Sequence, residues 1–170
     1  MKISRLLTPM FALVLPALAA TPVLAAGTVQ VNFVEAKRFT DLAEDDRQSR
    51  EVQAELAAHL QRLAERHLPD GRSLQIDLLD VDRAGSLRAL HRHNLSLVRV
   101  MRGGADWPVI KLRYVLRQGE RVLAEGEDTL QDMHYLQRLG PYSSSDALRH
   151  EKRLLDRWFA ELAQASGPPG

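Results

Sequence analysis

The chain has 170 residues, no cysteine, and 23 Lys and Arg set against 22 Asp and Glu. The missing cysteine excludes disulfides, thiol catalysis, thiolate metal sites, iron–sulfur clusters and a lipid anchor on a cysteine after a leader. The even charge balance, with no basic run to track a phosphate backbone, argues against nucleic acid as a partner.

Residues 1–26 read as a cleavable secretory signal peptide. Lys2 and Arg5 make a short positive start. Leu6 to Leu18 is an apolar run of about 13 residues, where a membrane-spanning helix needs about 20. Val23 and Ala25 hold the small-residue positions of a cleavage site, with Ala17 and Ala19 as the alternative pair. The expectation is a periplasmic protein with no stable membrane anchor after signal cleavage. About 145 residues then remain, enough for one core, since a domain near 150 residues buries about 68–70% of its unfolded surface. A single domain is expected over 27–165, with a disordered tail over 166–170.

Thr28 to Val34 alternates, with Val29, Val31 and Phe33 on one face, and reads as a strand. Asp41 with Glu44 fits a capping box, and Thr40 is the rival cap. The helix they open runs to about Leu68, where Pro69-Asp70-Gly71 stops it. Its apolar stripe is Val52, Leu56, Leu60, Leu63 and His67. Ser73 to Val81 is a second strand. Leu74, Ile76 and Leu78 share a face that Leu79 and Val81 leave, which predicts a bulge near Leu78-Leu79. Ser86 to Asn94 reads as polar and irregular, with Leu87 and Leu90 anchoring a short turn.

Leu95 to Met101 is a third strand, closed by Gly103-Gly104. Val109 to Leu116 and Arg121 to Leu130 form a hairpin around Gln118-Gly119, with Gly126 marking a bulge. Its outer face carries Lys111, Arg113, Glu125 and Glu127 to solvent. A connector from Asp132 to Ser145 follows, and Ser145 or Asp146 caps a last helix to about Ala163. Leu148, Leu155, Phe159 and Leu162 stack on one side of it, widened by Leu154 and Trp158. The order strand–helix–strand–strand–strand–strand–helix predicts an α/β (α+β) fold. It is a two-layer sandwich: one mixed five-stranded sheet, with both helices packed on one face and the first two strands parallel.

Five segments match a known family: Val31-Asn32-Phe33, Phe39-Thr40-Asp41, Asp80-Val81-Asp82-Arg83-Ala84-Gly85, Asp132-Met133-His134-Tyr135-Leu136, and Leu148 to Phe159. Through them the chain resembles domain of unknown function family 3016, small exported proteins of Gram-negative bacteria. The resemblance implies export and a single domain. It implies no activity.

Several constellations bear on chemistry. Asp77, Asp80 and Asp82 lie close together, as carboxylates for calcium or magnesium would. Asp80 to Gly85 starts like an EF-hand loop, but Ala84 and His91 stand where side-chain oxygens belong. The plainer reading is that the aspartates take nearby backbone N–H groups at the strand end. His91 and His93 share a strand face, as zinc ligands would, with His134 or Asp132 as a distant third. The plainer reading is two solvated histidines beside Arg88 and Arg92. His150-Glu151 opens an H-E-x-x-H pattern that Leu154 breaks, which leaves Glu151 as a surface partner of Lys152 or Arg153, or facing Arg83 or Arg99. Ser143-Ser144-Ser145 has no nucleophile elbow around it.

Asp132, His134, Tyr135, Arg157 and Trp158 combine aromatic platforms with polar groups, as a binding groove between the connector and the last helix would. The competing reading puts Tyr135 and Trp158 in the core. No catalytic set is complete and no cofactor is implied. The expected function is therefore a non-enzymatic ligand- or protein-binding module. The alternative is a metal-assisted hydrolase using Asp77/Asp80/Asp82 or His91/His93/His134.

Overall fold

The computed structural model describes residues 27–42, 46–91 and 94–165, apart from the side chains at 46, 90, 91 and 94–96. The expected signal peptide, Glu44, His93 and the tail lie outside these residues. The chain forms β1 (Thr28–Phe33), a short 3-10 turn (Ala36–Arg38), α1 (Asp46–His67), β2 (Arg72–Asp82), β3 (Ser86–His91), β4 (Asn94–Val100), β5 (Val109–Gln118), β6 (Arg121–Gln131) and α2 (Arg149–Ala165).

The main sheet has four strands in the order β1-β2-β5-β6. β1 pairs parallel to β2 across α1, and the other pairs are antiparallel. The expected five-stranded sheet is corrected here: the segment after Asn94 does not join it. β4 pairs with β3, the stretch read as irregular, in a separate two-stranded sheet. Both edges of β2 and of β5 are already occupied, so β4 takes the neighbour nearest in sequence.

The bulge in β2 is where the alternation breaks. Leu78 faces Leu112 and Asp80 faces Lys111, so Leu79 is the extra residue. It returns Val81 to the core face and leaves Asp77, Asp80 and Asp82 together on the other. The bulge in β6 falls at Leu123 and not at Gly126, because Leu116 faces Ala124 while Arg117 faces Val122. Gly126 serves a different need: a Cβ there would sit 3.2 Å from the Tyr114 ring, which packs over it.

Both helices lie over the core face of the sheet. Val52, Leu56, Leu60 and Leu63 of α1 meet Leu74, Ile76 and Leu78 of β2 and Ile110, Leu112 and Leu116 of β5 in one apolar cluster, with Leu154, Leu155, Phe159 and Leu162 of α2. Each such leucine contributes about 1.5–3 kcal/mol by burial. His67 lies outside the stripe and is exposed; Ala64 and Leu68 hold its place. The helix start is corrected as well. Asp41 lies in a turn ahead of α1 and its carboxylate meets Arg99 at 2.6 Å, while the Thr40 N–H and hydroxyl donate to Asp80. Asp146 takes the Leu148 N–H at 2.8 Å just ahead of α2.

Candidate binding pocket

Arg99 on β4 fastens the small hairpin to the sheet. Its guanidinium donates to the Arg83, Ala84 and Gly85 carbonyls at 3.5, 3.3 and 3.1 Å and pairs with Asp41. The segment that starts like a calcium loop thus turns these carbonyls to a cation of the chain itself. Asp77 accepts from Asn32 at 2.8 Å and Asp80 from Thr40 at 2.8 and 2.9 Å. Burial and the charges of Asp41 and Asp80 push the Asp82 carboxyl up. Among the described residues, no three histidine or carboxylate side chains gather where they could hold a metal ion. The His91 side chain and all of His93 lie outside those residues.

Glu151 is not at the surface. It is 1% exposed on the inner face of α2, and its Oε1 accepts the Ala84 N–H at 2.7 Å. Burial pushes its carboxyl up, against that bond and the charges of Arg83 and Arg99. A second cluster joins the two helices to the connector. His59 on α1 meets Asp156 on α2 at 2.8 Å, and the Tyr142 hydroxyl donates to the other oxygen of Asp156 at 2.6 Å. Beside it the Lys152 ammonium reaches Asp146 at 2.7 Å and Glu55 at 2.5 Å.

The five residues expected to line one groove separate into two places. Asp132 starts the connector: it takes the His134 N–H at 3.1 Å and pairs with Arg138 at 3.2 Å, while the His134 side chain is exposed. Tyr135 is buried, its hydroxyl donating to Asp106 at 2.9 Å. Trp158 lies in the core, donating from Nε1 to Asp128 at 2.8 Å and meeting Tyr114 edge to face. Exposed Arg157 reaches the Gln131 carbonyl at 3.3 Å. Trp158 and Arg157 border a cavity of about 220 Å³ with Thr129 and Glu161, away from Tyr135.

Tyr135 belongs instead to a pocket of about 220 Å³ where the connector folds back on the first turns of α2. Its wall includes Arg138, Tyr142, Arg149, His150 and Arg153, with Leu136 and Leu139 at the exposed connector. Arg153 donates to the Arg138 and Tyr135 carbonyls and to His150 Nδ1. Gly140 lies so close that a Cβ there would fall 2.5 Å from Arg153 Cδ. Arg149 donates to the Ser144 and Asp146 carbonyls at 3.1 and 3.0 Å. Neither arginine forms an ion pair with a carboxylate among the described residues, and Asp132 acts on Arg153 only through its charge. Burial, then Arg149 and Arg153, lower the His150 pKa to about 4, so the imidazole is neutral near pH 7.

Sequence reading missed Arg138, Tyr142, Arg149 and Arg153, and met His150 only as half of a failed zinc motif. One signal was present: Arg149, His150 and Arg153 share a helix face by spacing. Their meeting with Arg138 and Tyr142 depends on how the connector turns back.

Fold and pocket define an α+β module with a cationic, connector-walled cavity. The chain belongs to the protein family of unknown function DUF3016, whose model matches residues 27–161. No curated protein matches it. Among solved structures it is similar to the hypothetical protein CT253 from Chlamydia trachomatis, at 13% identity and a TM-score of 0.35, over 84% of this chain and 96% of that one. A minor lipoprotein from Acinetobacter baumannii is similar at 9% identity and a TM-score of 0.27, over 84% of this chain and 92% of that one. Likeness this low carries no argument about function.

Proposed function

We propose that the chain is exported to the periplasm and acts there without catalysis, as a module that binds a ligand or protein partner at the connector pocket. The observation that carries this reading is the pocket itself: two arginines with no carboxylate ion pair among the described residues, beside a cavity whose mouth holds exposed Leu136 and Leu139. Nothing in its wall is primed as a nucleophile. Tyr142 gives its proton to a bond with Asp156, and burial and that bond push its pKa up, the reverse of activation. Ser144, the serine of the wall, is exposed on the connector, and its carbonyl accepts from Arg149. Export is supported by Lys2, Arg5, the apolar run and the small residues at Val23 and Ala25.

Expression with the native leader in a Gram-negative host tests both parts. Osmotic shock should release a chain starting at Ala26 by intact mass, or at Ala20 if the alternative site is used. Elemental analysis should find no stoichiometric metal. Stoichiometric metal that is lost in Asp80→Ala or His93→Ala would replace this reading with the metal-assisted hydrolase.

A further inference from the structure

Resting on that assignment of the pocket, we propose that its ligand is a free anionic amphiphile. A carboxylate or phosphate head is held by His150 and the arginines, and an apolar body lies along Leu136 and Leu139.

The first observation is a pair of orphaned donors. His150 is 5% exposed. Arg153 donates to its Nδ1 at 2.8 Å, so Nδ1 accepts, and the proton of the neutral ring resides on Nε2. His150 Nε2 is buried with no acceptor among the described residues, and so is Arg153 Nε. An unsatisfied buried donor is costly, and an acceptor brought to either nitrogen relieves that cost. The other buried orphans in this part of the fold differ: Arg83 Nε is a donor and Glu151 Oε2 an acceptor, on side chains of opposite charge. At His150 and Arg153 both are donors, so neither can satisfy the other, and no acceptor for them stands among the described residues.

The second observation is charge. Arg138, Arg149 and Arg153 line the pocket, and Asp132, whose charge acts on His150 and Arg153, is already taken by Arg138 and the His134 N–H. The third is size and rim. About 220 Å³ is below the about 300–1,000 Å³ of a site that encloses a drug-sized ligand, so it suits a head group. Leu139 is 100% and Leu136 48% exposed, an apolar ledge for the rest of the ligand. Both nitrogens are closed to water in the free chain, so a head group entering past Leu139 and Gly140 must displace part of the cavity wall to reach them.

The test is a titration of the mature protein with octanoate, octyl phosphate, inorganic phosphate and neutral octyl glucoside. It is read by calorimetry and by the nitrogen shift of His150 Nε2. Octanoate and octyl phosphate should saturate and move the Nε2 signal. Inorganic phosphate should bind more weakly, and octyl glucoside at least tenfold more weakly than octanoate. His150→Phe keeps an aromatic ring against Tyr135 and removes the donor, and should weaken octanoate about tenfold or more. Leu139→Asp changes a fully exposed side chain, so it should melt as the wild type does while losing affinity by a similar factor. Equal binding of octyl glucoside and octanoate would overturn the oxyanion assignment and leave the pocket standing. Binding of neither would overturn both. Octanoate binding unchanged in the two variants, or binding only to anionic phospholipid vesicles, would place the ligand elsewhere and overturn the proposal.

Discussion

The Tyr142 hydroxyl donates to Asp156 at 2.6 Å, and through the same carboxylate His59 joins in, so one aspartate ties the connector to both helices. Burial raises the Asp156 pKa, but the bonds from His59 and Tyr142 outweigh it and hold the carboxylate below its usual range. Hydrogen bonds to charged groups contribute about 1.5–3 kcal/mol. Tyr142→Phe should therefore lower stability by about that amount in urea unfolding and speed amide exchange across 132–148. A midpoint equal to wild type would show that the bond does not anchor the connector.

His150 gives the chain a pH-dependent term. Its folded pKa of about 4 lies below the ordinary 6.5, so the unfolded chain takes up the proton first on acidification. The contribution is complete above pH 6.5 and is lost as pH falls from 6.5 toward 4. It amounts to at most about 3 kcal/mol. Unfolding free energy measured from pH 7.5 to 4 should fall more steeply in the wild type than in His150→Phe. Parallel curves would refute this.

Trp158 is tested by two substitutions. Trp158→Ala should cost about 3–5 kcal/mol, as a large aromatic removed from a core does. Trp158→Phe retains a ring but loses the bond to Asp128 and should cost about 1–2 kcal/mol. Gly126→Ala disturbs the same corner from the sheet side, because its methyl would press the Tyr114 ring that meets Trp158. A Trp158→Ala protein that melts like the wild type would put the side chain outside the core.

The β3–β4 hairpin depends on Arg99. A two-stranded sheet alone is marginal in water. Arg99→Met should leave the main sheet intact while amide exchange over 86–89 and 97–100 accelerates at least tenfold. Glu151→Ala removes the acceptor of the Ala84 N–H and leaves buried Arg83 without its facing charge, at a cost of about 3–5 kcal/mol. In Glu151→Gln the bond can persist while the charge is lost, so its cost should be smaller. Equal losses in Ala and Gln would show that charge alone matters there.

Local patterns made much of the fold legible. The alternation of Leu74, Ile76 and Leu78 followed by its break at Leu79 located the β2 bulge, and the step of three and four from Val52 to Leu63 located the buried face of α1. Sheet membership was not legible for β3 and β4: Ser86 to His91 is too polar to read as a strand, and β4 pairs with it because β2 and β5 are flanked on both sides. The site was less legible still. Tyr135 was picked out for its aromatic ring beside polar neighbours, whereas Arg153 was passed over as a surface charge. Arg153 matters only because the connector lays two carbonyls and Gly140 against it.

Local sequence carries the leader pattern, the absence of cysteine and the places of both helices and of every strand but β3. It also marked the faces that would be apolar. These depend on neighbours a few residues apart. Tertiary structure alone decided that the sheet stops at four strands and that Glu151 and Lys152 lie buried. It also brought Arg138, Tyr142, Arg149, His150 and Arg153 around one cavity. Those outcomes turn on which surfaces meet across the fold, and a charged residue reads the same in sequence whether it meets water or a buried partner.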